Sequence, residues 1–587
     1  MSLPRRPAAI AIILVLAVVV ILLAVEQMRP RAPVLPAEQA SALGLRMAEA
    51  ARNQDTATVR SLLEQGADPN RPSQDGTPAA LWATHHSDAA TLKLLIDYGA
   101  DVNRANRYGL TALHLASNQG EDELAEILLR AGAKPGTPDE RGETPLMMAA
   151  RGGSAAIVDM LLDAGAAVDA SDKVHNVTPL MLAGWYAHPE VTRRLLAAKA
   201  KIDARTTLGP VPKFTPPGFG NGSHGDGIVR GGVPPQGQRA AAPGGMTALL
   251  YAARGGDLES VRMLVDAGAS IEQGEANAVR PLLMAILNNR MDIATFLIGK
   301  GANVNAADFY GRAPLWSAVE MRNVEYPSDT SGEHDVDRPA VLKVIELLLQ
   351  KGADPNARLK EYPPTRNFLM QGGSLSWVDF TGQTPFLRAA LSGDVTVMKL
   401  LIKYRADPNI ATLRGTTPLM AAAGVNWVYY QTYDEGEDQL IEAIKLCMKY
   451  GQDVNAANSM KVTALHGAAN RGADKILRFL VDHGGRLEDA DDQGRTALSW
   501  AHGVFLATLP AVAKPSTIAL IEQLCAARGL QCEGSKAPVK TGPGRTAGGA
   551  SSGGLVRPGG LGGLGGAKPV NAIVRPGQQQ RGRAKRR

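Results

Sequence analysis

The 587-residue sequence predicts an all-α solenoid, a stack of repeated helix–turn–helix units rather than one globular core. Three patterns predict it. A phrase led by Thr-Pro or Thr-Ala recurs every 33 or 34 residues, from Thr77-Pro78 through Thr111, Thr144, Thr178, Thr247, Arg280, Ala313, Thr384, Thr417, Thr463 and Thr496. A second phrase recurs in step with it, GADPN at Gly66, GADVN at Gly99, GANVN at Gly301 and GADPN at Gly352, starting 22 residues after Thr77 at Gly99 and 21 after Arg280 at Gly301. Between them, apolar residues fall at helical spacing in two short runs, too thin for either run to be buried without a neighbour.

Residues 109–136 show how one unit is specified. Thr111 caps the first helix by accepting from a free backbone N–H, and in units such as Thr144-Pro145, Thr178-Pro179, Thr384-Pro385 and Thr417-Pro418 a proline takes the first helical position, where no N–H is needed. Leu113 and Ala116 share one face, the alanine small enough for close helix approach. Gly120 ends the helix, Leu124, Ile127 and Leu128 form the buried stripe of the second, and Gly132 supplies the left-handed residue that stops it. The result is two antiparallel helices and an extended finger.

In these residues the chain resembles the ankyrin repeat family, over residues 43–529, as about twelve units counting a divergent first one and a capping last one. The resemblance implies units stacked into a curved solenoid, whose fingers and first helices line a concave surface that binds protein. It also implies that His114 and His466, in the TALH phrases led by Thr111 and Thr463, hydrogen-bond within the turn instead of holding metal or doing catalysis. Lys199 and Arg405 depart from the family by standing where glycine ends the second helix, and Arg280 and Ala313 replace the capping threonine of repeats six and seven, counting from Thr77.

Outside the repeats, residues 8–25 are an apolar run behind Arg5 and Arg6. At about 1.5 Å per residue such a helix spans roughly 27 Å, near the hydrocarbon thickness of a bilayer. Small residues are missing at the cleavage positions just after it, so an uncleaved single-pass anchor is favoured over a cleaved signal and a secreted form. Residues 1–7 are expected on the cytoplasmic side and the body in the periplasm or another extracytoplasmic space, with residues 26–42 as a proline-containing linker. At the other end, residues 530–587 form a Gly- and Pro-rich segment that cannot bury a core and is expected to be disordered. From 534 on it carries eleven Lys and Arg and no acid, so the rest of the chain keeps a small acidic excess despite the formal charge of +6. Either anionic lipid or cell-wall polymer suits this tail or it serves only to keep the chain soluble; nucleic acid suits it poorly, since no aromatic residue interleaves to stack on bases.

Four insertions interrupt the period. The first, 204–243, contains Gly220-x-Gly222-x-x-Gly225, but prolines flank it where a dinucleotide fingerprint needs a strand and a helix. The second, 322–338, alternates Asp329, Ser331, Glu333, Asp335 and Asp337, which reads as a solvated acidic loop or, less well, a calcium loop. The third, 357–381, holds Tyr362, Arg366, Phe368, Trp377 and Phe380, and the fourth, 424–437, holds Trp427, Tyr429, Tyr430 and Tyr433. With aromatics only 5% of the chain, their concentration here admits two readings: hot spots for a partner protein, or a local mini-core folded back on the repeats. Of three cysteines, Cys447 reads as core, while Cys525 and Cys532 either bridge or stay as two thiols.

No HExxH, P-loop or CxxCH motif occurs and no domain-sized segment lies outside the repeats, so neither an enzyme nor a cofactor site is expected. The expectation is a membrane-tethered scaffold binding a protein partner through its concave face and inserted loops. An exported effector acting on another cell, and a metal- or ligand-binding receptor built from the insertions, are the alternatives.

Overall fold

The computed structural model describes residues 33–209, 244–324, 336–360, 380–427, 432–433, 435–503 and 512–531. These residues form an all-helical ankyrin-type solenoid with no extended strand, only isolated antiparallel bridges. A divergent pair opens it, α1 (Ala37–Arg52) and α2 (Thr56–Glu64). The repeats follow as α3 (Ala79–His85) with α4 (Ala89–Asp97), α5 (Ala112–Gln119) with α6 (Asp122–Arg130), α7 (Pro145–Gly152) with α8 (Ala155–Asp163), and α9 (Pro179–Trp185) with α10 (Pro189–Ala197). Then come α11 (Ala248–Gly255) with α12 (Leu258–Asp266), α13 (Pro281–Leu287) with α14 (Met291–Gly299), and α15 (Pro314–Arg322) with α16 (Arg338–Gln350). The last four pairs are α17 (Pro385–Leu391) and α18 (Val395–Lys403), α19 (Pro418–Ala422) and α20 (Glu437–Lys449), α21 (Ala464–Arg471) and α22 (Asp474–Asp482), and α23 (Ala497–Ala501) and α24 (Pro515–Ala527). First helices pack on first helices and second on second, so one continuous apolar core runs through the stack.

The repeated threonines do what their spacing predicts. Thr144, Thr178, Thr247, Thr384 and Thr417 each accept from the N–H three residues on, at 3.2–3.4 Å. Thr111 and Thr463 use their histidines as well: His114 Nδ1 accepts from Thr111 N at 3.2 Å, and its Nε2 lies 3.2 Å from the Glu143 carbonyl of the next repeat. His466 repeats this with Thr463 N at 3.1 Å and the Arg495 carbonyl at 2.9 Å. Both histidines are therefore structural ties between repeats. Arg280 and Ala313 cap without a side-chain bond, while Lys199 and Arg405 take φ of 63° and 70°, the strained left-handed region that glycine occupies elsewhere.

The second phrase has its own physical reason. Asn103 donates through Nδ2 to the Gly132 carbonyl at 3.0 Å and accepts from Lys134 N at 2.8 Å, stitching one turn to the next. Asn70, Asn305 and Asn455 make the same pair of bonds with Gly99 and Asp101, Gly352 and Asp354, and Gly484 and Arg486.

Several expected boundaries move. The 26–42 linker ends early, because Pro36 caps α1 and helix begins at Ala37. In repeat one the cap is Pro78, not Thr77, since Ala79 to His85 carry the apolar face. Residues 204–207 belong to a finger: Thr206 N donates to Met246 O at 3.0 Å, and Thr207 N to His175 O at 2.8 Å. Residues 358–360 and 380–381 are likewise finger, so the third insertion is narrower than 357–381. The ends of the second belong to helices, α15 keeping Arg322 and α16 beginning at Arg338. The apolar run 8–25, the Gly220–Gly225 motif and the tail beyond Leu530 and Gln531 lie outside the described residues, and among those described no helix is long and apolar enough to cross a membrane. Cys447 is a free, buried thiol, its pKa pushed up to about 12 by burial; Cys525 is disulfide-bonded.

Candidate functional site: the first-helix face and its insertions

The seventh and eighth residues after each cap lie on the first helix's outward face. In repeats one to six they are exposed or half-buried, as His85 and His86, Asn118 and Gln119, and Trp185 and Tyr186 show. In repeats eight and nine the same positions are fully buried: Leu391 and Ser392, then Gly424 and Val425. The face is therefore open over repeats one to six and closed at repeats eight and nine.

Its closure is built by two insertions that meet across repeat eight. Val324, just after α15, pairs in an antiparallel bridge with Thr432, and Tyr433 N donates to Asn323 O at 3.1 Å. Glu435 N then donates to Ser392 O at 3.1 Å. Beneath them runs a buried charge network. Arg388, 2% exposed, pairs with Glu320, donates to Ser392 Oγ at 2.8 Å and donates to the Asn323 carbonyl at 2.8 Å. Arg322 donates to Asp394 Oδ2 at 2.8 Å and to the Arg338 carbonyl at 2.7 Å, while Asp394 Oδ1 caps α18 through Val397 N at 3.1 Å. The Arg338 guanidinium lies 3.2 Å from the Tyr433 ring centroid, and burial lowers its pKa below the usual arginine value. Glu320, Arg322, Arg388 and Asp394 each have an opposite charge or a carbonyl, which is what burial of ions requires, and the Arg338 guanidinium rests on the Tyr433 ring.

Of the predicted partner-binding residues, Trp427 and Tyr433 fall in this closure and Phe380 at a finger. Trp427 is half-buried against Leu387, Leu391 and Ala421, with Arg471 stacked 4.9 Å from its ring centroid. Tyr433 is held as above, and Phe380 packs partly buried against the main core. These three pack against the repeats. Tyr362, Arg366, Phe368, Trp377, Tyr429 and Tyr430 lie outside the described residues. Of the acidic alternation, Asp337 is a helix cap, accepting from Ala340 N at 2.9 Å.

The open part of the face carries residues that sequence reasoning passed over. Trp185 and Tyr186 are 42% and 47% exposed at the end of α9. The Trp185 ring stacks on Tyr251 of the next repeat at 4.8 Å and 19°, and Arg254 stands 5.5 Å from its centroid. At repeat one, Trp82 stacks on His86 at 6.1 Å beneath Arg52 at 5.3 Å. Aligning the repeats by position would have found Trp185 and Tyr186, because they stand at the outward positions held by Asn118 and Gln119 in repeat two.

A stack of capped helix pairs with interdigitating fingers and an open first-helix face defines a repeat-built protein-interaction protein. The chain belongs to the ankyrin repeat family. The family model described as ankyrin repeats (3 copies) matches residues 47–139, 123–206, 232–308, 249–327 and 435–504, and the single ankyrin repeat model matches 381–410. Among curated relatives, "Putative palmitoyltransferase ZDHHC13" of Danio rerio is 30% identical over 299 residues, covering 50% of this chain and 38% of that protein. "Ankyrin repeat and KH domain-containing protein mask-1" of Caenorhabditis elegans is 26% identical over 263 residues, 39% of this chain and 10% of that one. "Palmitoyltransferase ZDHHC17" of Rattus norvegicus is 25% identical over 255 residues, 43% of this chain and 33% of that one. The chain thus spans little more than a third of these relatives at most. Among solved structures it is similar to the human ASB11 ankyrin repeat domain, at 24% identity and a TM-score of 0.33, over 45% of this chain and 96% of that one.

Proposed function

We propose that this chain is a non-enzymatic scaffold, tethered to a membrane by residues 8–25, that takes a partner protein on the open first-helix face around repeats four and five. The observation that carries this reading is the contrast along one face: Trp185, Tyr186 and Arg254 stand exposed while the equivalents in repeat eight, Leu391 and Ser392, are buried beneath the chain's own insertions. Exposed aromatics beside arginine are the side chains from which interface hot spots are made. The relatives' palmitoyltransferase names do not transfer, because the shared stretch is at most 38% of those proteins. A body outside the cytoplasm is supported by the disulfide at Cys525, since such bonds persist in oxidising compartments. In that compartment the basic tail meets anionic lipid or cell-wall polymer.

The test is proximity labelling from the native membrane with the wild-type chain and a Trp185→Ala/Tyr186→Ala variant. Partners labelled by the first and lost from the second, at unchanged helical melting, support the scaffold. An identical set of labelled proteins would remove it from this face. A second reading, an exported effector, is favoured by the same disulfide, and amino-terminal sequencing decides it: a mature protein starting after residue 25 and recovered from the medium replaces the tether.

A further inference from the structure

The finger edge offers a second surface, and its chemistry names a partner class. Successive fingers are joined by one backbone hydrogen bond each. Glu140 N donates to Tyr108 O at 3.2 Å, Lys173 N to Arg141 O at 2.9 Å, Thr207 N to His175 O at 2.8 Å, and Phe309 N to Asn277 O at 2.9 Å. The ladder continues with Lys360 N to Tyr310 O at 2.9 Å, Leu413 N to Thr381 O at 2.8 Å and Asp492 N to Met460 O at 2.9 Å. At one of these contacts a side chain is sterically forbidden: a Cβ on Gly142, whose φ is +88°, would sit 2.8 Å from Lys173 N. The tips therefore form one continuous edge, advancing about 8–10 Å per repeat, the spacing of packed helices.

Along that edge the acids are turned inward. Asp139 accepts from Glu143 N at 2.7 Å, Asp172 from His175 N at 2.9 Å, Asp308 from Arg312 N at 2.9 Å, and Asp491 from Arg495 N at 2.9 Å. Their carboxylates are consumed in closing each turn. The tip cations face water: Arg107, Arg141, Lys173, Lys360 and Lys461 are all exposed, against Glu140 and Asp492 as exposed tip acids. Apolar side chains stand beside the cations, as in Arg107–Tyr108, Lys173–Val174 and Leu413–Arg414. Tyr108, Val174, Leu208, Phe309 and Leu413 are 52%, 57%, 66%, 37% and 65% exposed, half of the large apolar side chains exposed among the described residues.

We infer that the finger edge docks an extended acidic segment of a partner protein, with carboxylates on the tip cations and alternate apolar side chains on the tip apolar residues. This deepens the scaffold reading and rests on it. Charge complementarity selects an acidic occupant, and the row of apolar tips selects a peptide over a phosphate polymer, which has no aliphatic side chains to place there. The basic tail of this chain is excluded as occupant by like charge.

The probe is a labelled peptide of alternating Glu and Leu, roughly 16 residues long, which at ~3.3 Å per residue reaches across about five fingers. Its anisotropy is titrated with the full chain and with an Arg107→Glu/Arg141→Glu/Lys173→Glu variant that keeps the same tail. Expected is saturable binding that weakens about tenfold or more in the variant and falls with added salt. A Tyr108→Ser/Val174→Ser/Leu208→Ser variant is expected to lose affinity for this peptide but not for a Glu–Ser peptide. Equal binding of wild type and charge-reversed variant overturns the proposal. So does tighter binding, through the same residues, of a poly-dT oligonucleotide or phosphatidylserine vesicles. If the peptide fails while Trp185 variants still change the labelled partners, the finger proposal falls and the scaffold stands; if the Trp185 variants change nothing, the scaffold falls at its own face, whatever the peptide does.

Discussion

His114 and His466 carry a measurable consequence of being buried ties. Burial lowers both pKa values below the ordinary 6.5, ahead of the opposing pull of the Glu143 and Arg495 carbonyls. A depressed folded-state pKa means that the unfolded chain binds the extra protons first. Stability is then complete above about pH 6.5 and is lost as the pH falls through the folded-state values. The urea midpoint of the wild-type chain is expected to drop between pH 7.5 and 5.5. A His114→Gln/His466→Gln variant, less stable at pH 7.5, should show a smaller drop; equal pH dependence of the two would remove these histidines as its source. Their bond within the turn was legible through the family resemblance of the TALH phrase, while the tie to the next repeat, to carbonyls 29 residues on, was not. The position of Trp185 was legible by aligning the repeats, but its exposure was not, since that depends on what the next repeat and the insertions leave uncovered.

At the scale of elements, α15, α17 and α18 are locked by the buried network, and Asp394 is its hinge point: it caps α18 and pairs with Arg322, with its side chain 2% exposed. Replacing it with alanine leaves a buried guanidinium without its carboxylate, at a cost of about 3–5 kcal/mol. Asp394→Ala is expected to raise amide exchange across α18 and at the Val324–Thr432 bridge, while the finger ladder of repeats two to four keeps its protection. Uniform loss along the whole stack would show that the network is not local. The interruptions in the period marked where the insertions lie, but not that those of repeats seven and nine pair with each other. A partner roughly a hundred residues away leaves no periodicity, and the prolines and acids of such loops bias only their own backbone.

Across the whole molecule, repeats contact only their neighbours, so a terminal segment acts on placement more than on stability. Deleting residues 1–32 is expected to release the body from the membrane fraction while its thermal transition stays within about 2 °C, because the solenoid begins at Pro36 and Ala37. Retention of the shortened protein in carbonate-washed membranes would refute the tether. By itself the sequence determined the period, the helix pairs, the caps beyond repeat one and the family, because each depends on residues within one unit and its copy 33 positions on. The tertiary structure alone decided that two insertions meet across repeat eight and close the first-helix face there. It also decided that the finger acids turn inward while the cations stay out, since a carboxylate reads the same in sequence whether it closes a turn or faces solvent.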